Sequence, residues 1–291
     1  MTSIVVASGK GGTGKTLVAT SLALVAARRG PCALLDADVE EPNAALFLQP
    51  CLGDRVEVVR LVPVVDQARC THCGRCSQVC QYHAIAVLPN KTLVFSDLCH
   101  GCGSCVRQCP AAAIGEQASP SGTIEVGDAG SLRFAQGILN VGEAMAKPVI
   151  RQLKQHAQDL GWYESGDVIV DAPPGTACPV VEALRGADYA LLVTEPTPFG
   201  LHDLELAVQV ARETWSLPVG VVINKDRPDT RIIDAYCAEQ NLPVLLRIPL
   251  DRRIAEAYSR GIPLLRAYPA YESAFARLLD DIKRLAAREQ P

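Results

Sequence analysis

Gly9-Lys-Gly-Gly-Thr-Gly-Lys-Thr16 matches the phosphate-binding pattern G-x-x-x-x-G-K-T, and it indicates the fold of a large part of the chain. Before this segment, Ser3–Ala7 carries no charge and is rich in β-branched residues, which predicts a short buried strand. After it, residues 17–29 are apolar and alanine-rich and end at Gly30, which predicts a helix with a glycine stop. A further apolar stretch, residues 32–36, completes a strand–loop–helix–strand unit and so predicts a parallel sheet.

The glycine-rich loop is expected to bind phosphate through its backbone. N–H groups at the start of a helix point toward a bound anion, and the helix dipole favours negative charge there. The residues expected to hold the nucleotide are Gly9, Gly11, Gly12, Thr13, Gly14, Lys15 and Thr16. Of these, Lys15 would reach the β- and γ-phosphates, and Thr16 would place its hydroxyl on Mg²⁺.

A dinucleotide site is the competing interpretation of the same loop. Gly9, Gly11 and Gly14 also form G-x-G-x-x-G, and Asp36 follows at about the distance of the acidic residue in dinucleotide-binding proteins. The Lys15-Thr16 pair at the helix start favours a nucleoside triphosphate, because a dinucleotide-binding turn has no use for it.

The rest of the chain, outside a cysteine-rich stretch, alternates between strands and helices. Strands are predicted at residues 167–171, 189–193, 219–223 and 243–246, and helices at 147–160, 201–214, 230–240, 251–260 and 271–288. This alternation predicts an α/β fold with a doubly wound, mainly parallel sheet. The last helix is expected to pack in the core; the alternative is a membrane-binding tail, which Asp280, Asp281 and Glu289 disfavour.

A second lysine in the loop, Lys10, makes the segment resemble one family in particular. K-G-G-T-G-K-T is similar to the deviant Walker A motif of the MinD/ParA/Mrp and nitrogenase iron protein superfamily, which are P-loop NTPases of the SIMIBI class. The resemblance implies Mg²⁺-dependent ATP hydrolysis by a homodimer with nucleotide at its interface. It also implies that Lys10 reaches across that interface to the nucleotide of the other subunit, in the manner of an arginine finger.

Two acidic segments resemble the switch regions of this family. Asp36-Ala-Asp38 ends a predicted strand, and the resemblance implies that Asp38 orients the attacking water while Asp36 supports Mg²⁺ through a water. Asp171-Ala-Pro-Pro-Gly175 follows another predicted strand, and it implies that Asp171 supports Mg²⁺ indirectly while Gly175 lets the backbone approach the γ-phosphate. Such roles suit phosphoryl transfer, which depends on positioning and electrostatics. For Asp36 and Asp38, the alternative is a pair of strand-end carboxylates in a turn.

A third segment predicts which nucleotide base the site binds. Asn224-Lys-Asp226 resembles the family's adenine-binding segment, with Asn224 on the base. The N-K-x-D motif of GTPases begins in the same way, but here Asp226 comes one position early, so adenine is favoured over guanine. Residues 248–253 resemble the loop that closes over adenine.

The chain has 12 cysteines, and eight of them lie between residues 62 and 118. We expect a cytoplasmic protein, because the N-terminus lacks a signal-peptide layout and the sequence lacks an apolar run long enough to span a membrane. Disulfides are a poor explanation in a reducing compartment, so metal or redox chemistry is expected.

The eight clustered cysteines form two runs with the spacing of bacterial two-cluster ferredoxins, C-x₂-C-x₂-C-x₃-C. In that arrangement the fourth cysteine of each run serves the other cluster. The expected ligands are Cys70, Cys73, Cys76 and Cys109 for one 4Fe-4S cluster and Cys99, Cys102, Cys105 and Cys80 for the second. Zinc is the alternative, although zinc sites use isolated cysteine pairs. Residues 84–95 between the runs are predicted to form a hairpin.

The two patterns together predict the domain organisation. Residues 1–61 and 119–291 resemble a MinD-type ATPase, and residues 62–118 resemble an inserted, small α+β ferredoxin-like domain. The expected cofactors are ATP, Mg²⁺ and two 4Fe-4S clusters. Cys178, close after Asp171, lies where the nitrogenase iron protein carries a cluster-bridging cysteine, but a helix-start thiol is the favoured interpretation.

Charge and composition limit the partners. The net charge is −4 and aromatic residues make up only 5%, so we do not expect nucleic-acid binding. Each oxidised 4Fe-4S core with its four deprotonated thiols adds about −2, so a protein partner should present a basic docking face.

Three functions fit these observations. The first is a redox-coupled ATPase that passes electrons to or from a protein partner. The second is an ATP-dependent factor that assembles or carries iron–sulfur or metal cofactors. The third is a spatial or cell-division regulator of the MinD/ParA kind.

Overall fold

The computed structural model describes residues 1–227 and 229–288, so Glu289 lies outside the described residues. The chain divides into two compact units. The first comprises Met1–Arg55, Ile124–Ile138 and Ile150–Pro291, and the second comprises Val56–Thr123 and Leu139–Val149. The eight cysteines of the two runs all belong to the second unit, whose limits lie outside the predicted limits of 62 and 118.

The strands and helices follow one another along the whole described chain. The strands are β1 (Ser3–Ala7), β2 (Cys32–Asp36), β3 (Cys51–Val65), β4 (Ile85–Leu88), β5 (Lys91–Val94), β6 (Ile114–Ala129), β7 (Leu132–Leu139), β8 (Asp167–Asp171), β9 (Tyr189–Thr194), β10 (Val219–Asp226) and β11 (Val244–Pro249). The α-helices are α1 (Lys15–Arg29), α2 (Ala44–Leu48), α3 (Arg75–Val79), α4 (Ser104–Arg107), α5 (Ala146–Asp159), α6 (Trp162–Ser165), α7 (Cys178–Leu184), α8 (Pro198–Gln209), α9 (Ile232–Glu239), α10 (Arg252–Ser259), α11 (Leu264–Ala267) and α12 (Glu272–Arg288). Short 3₁₀ turns cover Ser96–Leu98 and Pro269–Tyr271, and a π-helical turn, Val210–Thr214, continues α8.

The main sheet has nine strands in the order β11-β10-β9-β1-β8-β2-β7-β6-β3. From β11 to β7, each strand pairs in parallel with its neighbours. Every residue of β1, β2, β8 and β9 is buried, as expected for strands covered on both faces by helices. The prediction of an α/β fold with a mainly parallel sheet is confirmed.

The last helix packs into the core of the first unit. Phe275, Leu278, Leu279 and Ile282 of α12 are each at most 1% exposed and belong to the same apolar cluster as Leu22 of α1. Burial of each such side chain contributes roughly 1.5–3 kcal/mol. This supports the interpretation of α12 as a core helix.

Sequence reasoning missed three long strands. The first seven residues of β3 are exposed and include Gly53 and Asp54, while β6 contains Gly115, Pro120 and Gly122. These residues have low strand propensity, and β7 was not recognised next to them. Pairing within the sheet, rather than local propensity, holds this part of the chain in strands.

The second unit contains an internal repeat. Cys70 and Cys99 are 29 residues apart, and the same interval relates all four cysteines of one run to those of the other. The repeat extends to hydrogen bonds: Asp66 N–H donates to the Ala113 carbonyl at 2.8 Å, and Phe95 N–H donates to the Ala84 carbonyl at 2.8 Å. The predicted hairpin is confirmed, because β4 and β5 pair in antiparallel fashion.

Within the described residues, none of the helices combines the length and the hydropathy that a membrane span requires.

Candidate functional site

A cleft with an empty volume of about 1050 Å³ lies in the first unit, at the carboxyl ends of the parallel strands. Its lining comes from the loop after β1, the segments after β2 and β8, the end of β10 and the segment from β11 into α10. The lining residues are Gly11, Gly12, Gly14, Lys15, Thr16, Leu17, Asp38, Glu41, Asn43, Pro174, Asn224, Lys225, Pro249, Leu250, Asp251, Ile254, Ala255 and Tyr258. Ligands of open α/β sheets bind at this end of the strands.

The glycine-rich loop presents the start of α1 to the cleft. Gly12 and Gly14 adopt positive φ angles of 78° and 96°, and α1 begins directly after Gly14 with the buried pair Lys15 and Thr16. Within the loop, Gly9, Lys10 and Thr13 fall outside the lining, as do Asp36, Asp171 and Gly175 among the other residues predicted for the site. Gly9 instead lies so close to α8 that an added Cβ would be 2.3 Å from the Asp203 carbonyl oxygen.

Gly14 is held by a close contact with Asn224. The Asn224 side-chain amide donates to the Thr13 carbonyl at 2.7 Å, and a Cβ on Gly14 would lie 2.2 Å from that nitrogen. Asn224 therefore stabilises the glycine-rich loop through this hydrogen bond. It also lines the cleft, where the resemblance predicts that it contacts the base.

We expect Gly14→Ala to lower the free energy of unfolding by about 1–3 kcal/mol, because a side chain is strained at this φ and collides with Asn224. Thermal or denaturant unfolding measures the change. Gly11→Ala is the matched control in the same loop, since an added Cβ there meets no atom within 4 Å. Equal destabilisation of both variants would contradict the prediction.

Three carboxylates gather around Lys15 and Thr16. Asp36 of β2 and Asp171 of β8 are neighbours in register, and both are fully buried. The Thr16 hydroxyl donates to Asp171 Oδ2 at 2.6 Å, and Lys15 Nζ lies 3.7 Å from Asp38 Oδ2. The predicted magnesium and phosphate residues are thus brought together by adjacent strands.

The three carboxylates form a site that can bind a cation. Burial raises the pKa of Asp171 and that of Asp36, to which the neighbouring Asp171 charge adds. Burial also raises the pKa of Asp38, against the opposing charge of Lys15. Among the described atoms, Asp171 Oδ1 is buried without a hydrogen-bond partner. An oxygen-rich site with an unpartnered carboxylate oxygen fits Mg²⁺, which prefers oxygen ligands.

Asp36 holds the segment that follows β2. Its Oδ1 accepts from Asp38 N–H at 3.1 Å, and its Oδ2 accepts from the N–H groups of Asn43 and Ala44, each at 2.9 Å. A carboxylate with three backbone donors organises the loop that carries Asp38. Sequence reasoning did not anticipate these bonds, because the donors depend on how the loop folds back.

On another side of the loop, two lysines share one glutamate. Lys225 Nζ lies 2.6 Å from Glu195 Oε1 and donates to the Gly12 carbonyl at 3.0 Å, while Lys10 Nζ lies 3.9 Å from Glu195 Oε2. The roles of Glu195 and Lys225 were missed. Lys225 stands in the quoted Asn224-Lys-Asp226 segment, which was a usable signal, whereas nothing local distinguishes Glu195.

The segments expected to approach the γ-phosphate and the base also border the site. Gly175 has φ 94° and donates its N–H to the Ser8 carbonyl at 3.0 Å, and Pro174 is the residue of that segment that lines the cleft. Tyr258 of α10 was missed; its ring lies 4.6 Å from that of Phe47, centroid to centroid. Its spacing of four from Ile254 on α10 could have indicated it.

Two smaller cavities in the second unit are lined by the clustered cysteines. The first cysteine cavity has an empty volume of about 310 Å³ and contains Cys70, Cys73, Cys76 and Cys109. The second cysteine cavity has an empty volume of about 380 Å³ and contains Cys80, Cys99, Cys102 and Cys105. Each cavity therefore joins three cysteines of one run with the fourth cysteine of the other.

Backbone N–H groups point at several of these sulfurs. Ala113 N–H donates to Cys109 Sγ and Ala84 N–H to Cys80 Sγ, both at 3.3 Å, and Gly101 N–H donates to Cys99 Sγ at 3.4 Å. Such bonds stabilise thiolates, so the donor set fits a thiolate-bound cluster. Among the described residues, no group of three or more His, Cys, Asp or Glu side chains converges on one metal ion. A four-iron cluster does not need such convergence, because each thiolate binds its own iron.

Exposure differs within each set of four. Cys76 and Cys105 are buried, and burial raises the pKa of the Cys105 thiol to about 11, whereas Cys73 and Cys102 are exposed. His100 lines the second cavity and stacks on Tyr82 with ring centroids 3.5 Å apart.

The other cysteines lie in the first unit. Cys32 and Cys237 are buried, and burial raises their pKa values to about 12 and about 11. Cys51 and Cys178 are exposed, and Cys178 is the first residue of α7.

Known proteins resemble the chain over nearly its full length. It is 29% identical to an uncharacterized protein of Methanocaldococcus jannaschii over 90% of this chain and 91% of that one. It is 27% identical to an iron-sulfur cluster carrier protein of Deinococcus radiodurans over 98% of this chain and 68% of that one. The structure of the septum site-determining protein MinD with Mg-ADP from Pyrococcus horikoshii OT3 has the same fold, with a TM-score of 0.59, 19% identity and coverage of 99% and 98%.

A family model described as the CobQ/CobB/MinD/ParA nucleotide binding domain matches residues 4–264. This span includes the glycine-rich loop, the three carboxylates and Asn224. The chain belongs to the CobQ/CobB/MinD/ParA family of nucleotide-binding domains.

Proposed function

We propose that this protein is a dimeric ATP-hydrolysing switch that carries two 4Fe-4S clusters and couples its nucleotide state to electron transfer with a protein partner. The observation that carries the proposal is the pair of cysteine cavities, each with three cysteines from one run and one from the other, in a chain that also has a nucleotide cleft. This is the ligand arrangement of two-cluster ferredoxins.

In this proposal the buried residues of the cleft bind the triphosphate. Lys15 and the N–H groups at the start of α1 hold the β- and γ-phosphates. Thr16 would hold Mg²⁺, with Asp171 supporting it indirectly as the acceptor of the Thr16 hydroxyl at 2.6 Å, and the ion would supply positive charge against the phosphates. The Lys15–Asp38 contact of 3.7 Å would exchange for a Lys15–phosphate contact, which leaves Asp38 free to orient water.

Lys10 is the residue proposed to act across the dimer. Its side chain is 34% exposed, and its contact with Glu195 is long, at 3.9 Å. Lys225 holds the same glutamate at 2.6 Å, so Glu195 keeps a partner when Lys10 leaves. A weakly held lysine in the glycine-rich loop suits a residue that moves to a second nucleotide.

The chain itself links the nucleotide to the clusters. Asp36 anchors the loop at Asn43 and Ala44, α2 follows at once, and β3 then runs from Cys51 to Val65, five residues before Cys70. A loop whose arrangement depends on the γ-phosphate therefore leads directly into the first cysteine run.

The clusters, when bound, supply one-electron storage. The chain's residues hold them through the eight thiolates and tune them through N–H donors such as those of Ala84 and Ala113. Their added negative charge supports a protein partner with a basic docking face.

The coupling is tested by measuring ATP hydrolysis with the clusters oxidised and then reduced by dithionite. We expect the rate to differ at least about twofold. The cluster potentials should also differ between the ATP and ADP states, because coupling between nucleotide binding and cluster reduction is reciprocal. Asp38→Ala, which should bind ATP without hydrolysing it, keeps the ATP state for the potential measurement. Equal rates together with equal potentials would refute the coupling.

A cluster carrier is the second candidate, favoured by the similarity to the iron-sulfur cluster carrier protein and by the exposed Cys73 and Cys102. Mixing the loaded protein with a cluster-free acceptor and ATP distinguishes the two. Under our first proposal the iron stays with this chain, whereas ATP-dependent transfer to the acceptor would favour the carrier.

A further inference from the structure

The internal repeat makes the two cysteine cavities comparable position by position. Each lining residue of the first cavity except Pro110 has a counterpart 29 positions away in the lining of the second, as Cys70 has Cys99 and Cys109 has Cys80. The bonds from Ala113 N–H to Cys109 Sγ and from Ala84 N–H to Cys80 Sγ are equal at 3.3 Å. Electrostatic differences between the linings of the two cavities must therefore come from positions at which the two halves of the repeat carry different residues.

Two such positions carry charge. Val87 lines the first cavity, and its counterpart Glu116 lines the second; Arg75 lines the first, and its counterpart Ser104 lines the second. Arg75 donates from Nε and Nη2 to the neutral Gln108 Oε1 at 3.1 and 2.8 Å, so this contact leaves its positive charge uncompensated.

Glu116 stands against the loop that carries the second set of cysteines. Its Oε1 lies 3.4 Å from the position of a Cβ on Gly103, which separates Cys102 from Ser104. The Glu116 side chain also lines the same cavity as Cys102. The Glu116 carboxylate is therefore close enough to Cys102 for its charge to act on this ligand.

A third broken position concerns hydrogen bonding to sulfur. In the first cavity the Thr92 hydroxyl lies 3.4 Å from Cys70 Sγ, and its counterpart in the second cavity is Pro63, which has no donor. The second cavity has the Gly101 N–H at 3.4 Å from Cys99 Sγ and the Ser104 hydroxyl at 3.5 Å from Cys102 Sγ. Polar groups therefore contact sulfur in both cavities, whereas the charged residues differ between the two linings.

A buried arginine near the second cavity, Arg60, does not reverse the difference in charge between the two cavities. Arg60 is 5% exposed and donates to the Cys99 carbonyl, but its Nη2 is paired with Glu143 Oε2 at 3.2 Å. The pair is close to neutral as a whole. Lys147 adds positive charge near His100, which lines this cavity, and Glu116 opposes it.

Reduction adds negative charge to a cluster, so nearby positive charge raises the reduction potential and a nearby carboxylate lowers it. We propose that the first cysteine cavity holds the cluster of higher potential and the second the cluster of lower potential, with Glu116 and Arg75 setting the order. This inference rests on the proposed function. With clusters bound, the ligands of the first cavity would hold the one that takes an electron from a one-electron donor protein more readily, and those of the second the one that gives it up more readily.

The test is a potentiometric titration of the reconstituted full chain, followed by electron paramagnetic resonance. We expect two steps. Glu116→Gln, which keeps the side-chain shape, should shift the lower step upward, by about threefold in the ratio of reduced to oxidised cluster at a fixed potential. Arg75→Gln should shift the upper step downward by a similar factor. Both shifts should shrink at high salt, because exposed charges are screened.

A shift of the upper step in Glu116→Gln, or no shift in either variant, would overturn the order. Iron analysis separates this failure from failure of the proposed function. A chain that binds about eight iron atoms but titrates in a single step refutes the order alone. A chain that binds no iron under reconstitution refutes both.

Discussion

Lys15→Ala should weaken nucleotide binding at least about 100-fold, equivalent to about 2.8 kcal/mol, while the iron–sulfur absorbance of the reconstituted protein stays unchanged. Lys15 is 7% exposed and stands at the first turn of α1, so its charge acts on bound phosphate with little screening by water. Its removal also leaves Asp38 without its ion-pair partner. The cleft would then lack the buried positive charge that faces bound phosphate.

Isothermal titration with Mg-ADP measures the first effect, and the visible spectrum measures the second. Lys91→Ala is the matched control, because Lys91 is an exposed lysine of β5 in the second unit. Retained nucleotide affinity in Lys15→Ala would contradict the assignment of the cleft. Loss of the cluster absorbance together with nucleotide binding would contradict the independence of the two sites.

Cys109→Ser should remove one cluster of two, so that iron falls from about eight to about four atoms per chain. Cys109 lies in the second cysteine run but lines the first cysteine cavity. Serine is a poor ligand for a cluster that is held by thiolates, so the cavity would lose its fourth ligand. Cys178→Ser, an exposed thiol at the start of α7, should leave the iron content unchanged.

Double variants test which cysteines share a cluster. Cys109→Ser with Cys73→Ser should still bind about four iron atoms, because both residues line the first cavity. Cys109→Ser with Cys102→Ser should bind almost none, because Cys102 lines the second cavity. If each cluster instead took all four ligands from one run, the two results would be exchanged. Iron analysis and electron paramagnetic resonance distinguish the two arrangements.

Much of the first unit could be predicted from the sequence. The short central strands are buried at every position and consist mostly of apolar residues, so their apolar runs located them well. The strands β3, β6 and β7 escaped prediction because their stability comes from partners in the sheet. A strand such as β6, with Gly115, Pro120 and Gly122, has a local preference for turns.

The candidate nucleotide site likewise contains residues that the sequence identified and residues that it did not. The glycine-rich loop, Asp36, Asp38 and Asp171 were identified because their chemistry depends on residue type at fixed short spacing. Glu195 and Tyr258, which also contribute to the site, were not identified. These residues come from distant elements that only the folded chain brings near the loop.

By itself, the sequence determined the kinds of chemistry present: a phosphate-binding loop, carboxylates at strand ends and two cysteine runs. Short motifs carry this information because backbone geometry makes their side chains neighbours whatever the rest of the chain does. Only the tertiary structure decided which groups face one another, since contacts such as Asn224 with Gly14, or Glu116 with the Cys102 loop, join residues from separate strands and turns. Those contacts depend on how the sheet and the repeat pack, and packing is a property of the whole fold.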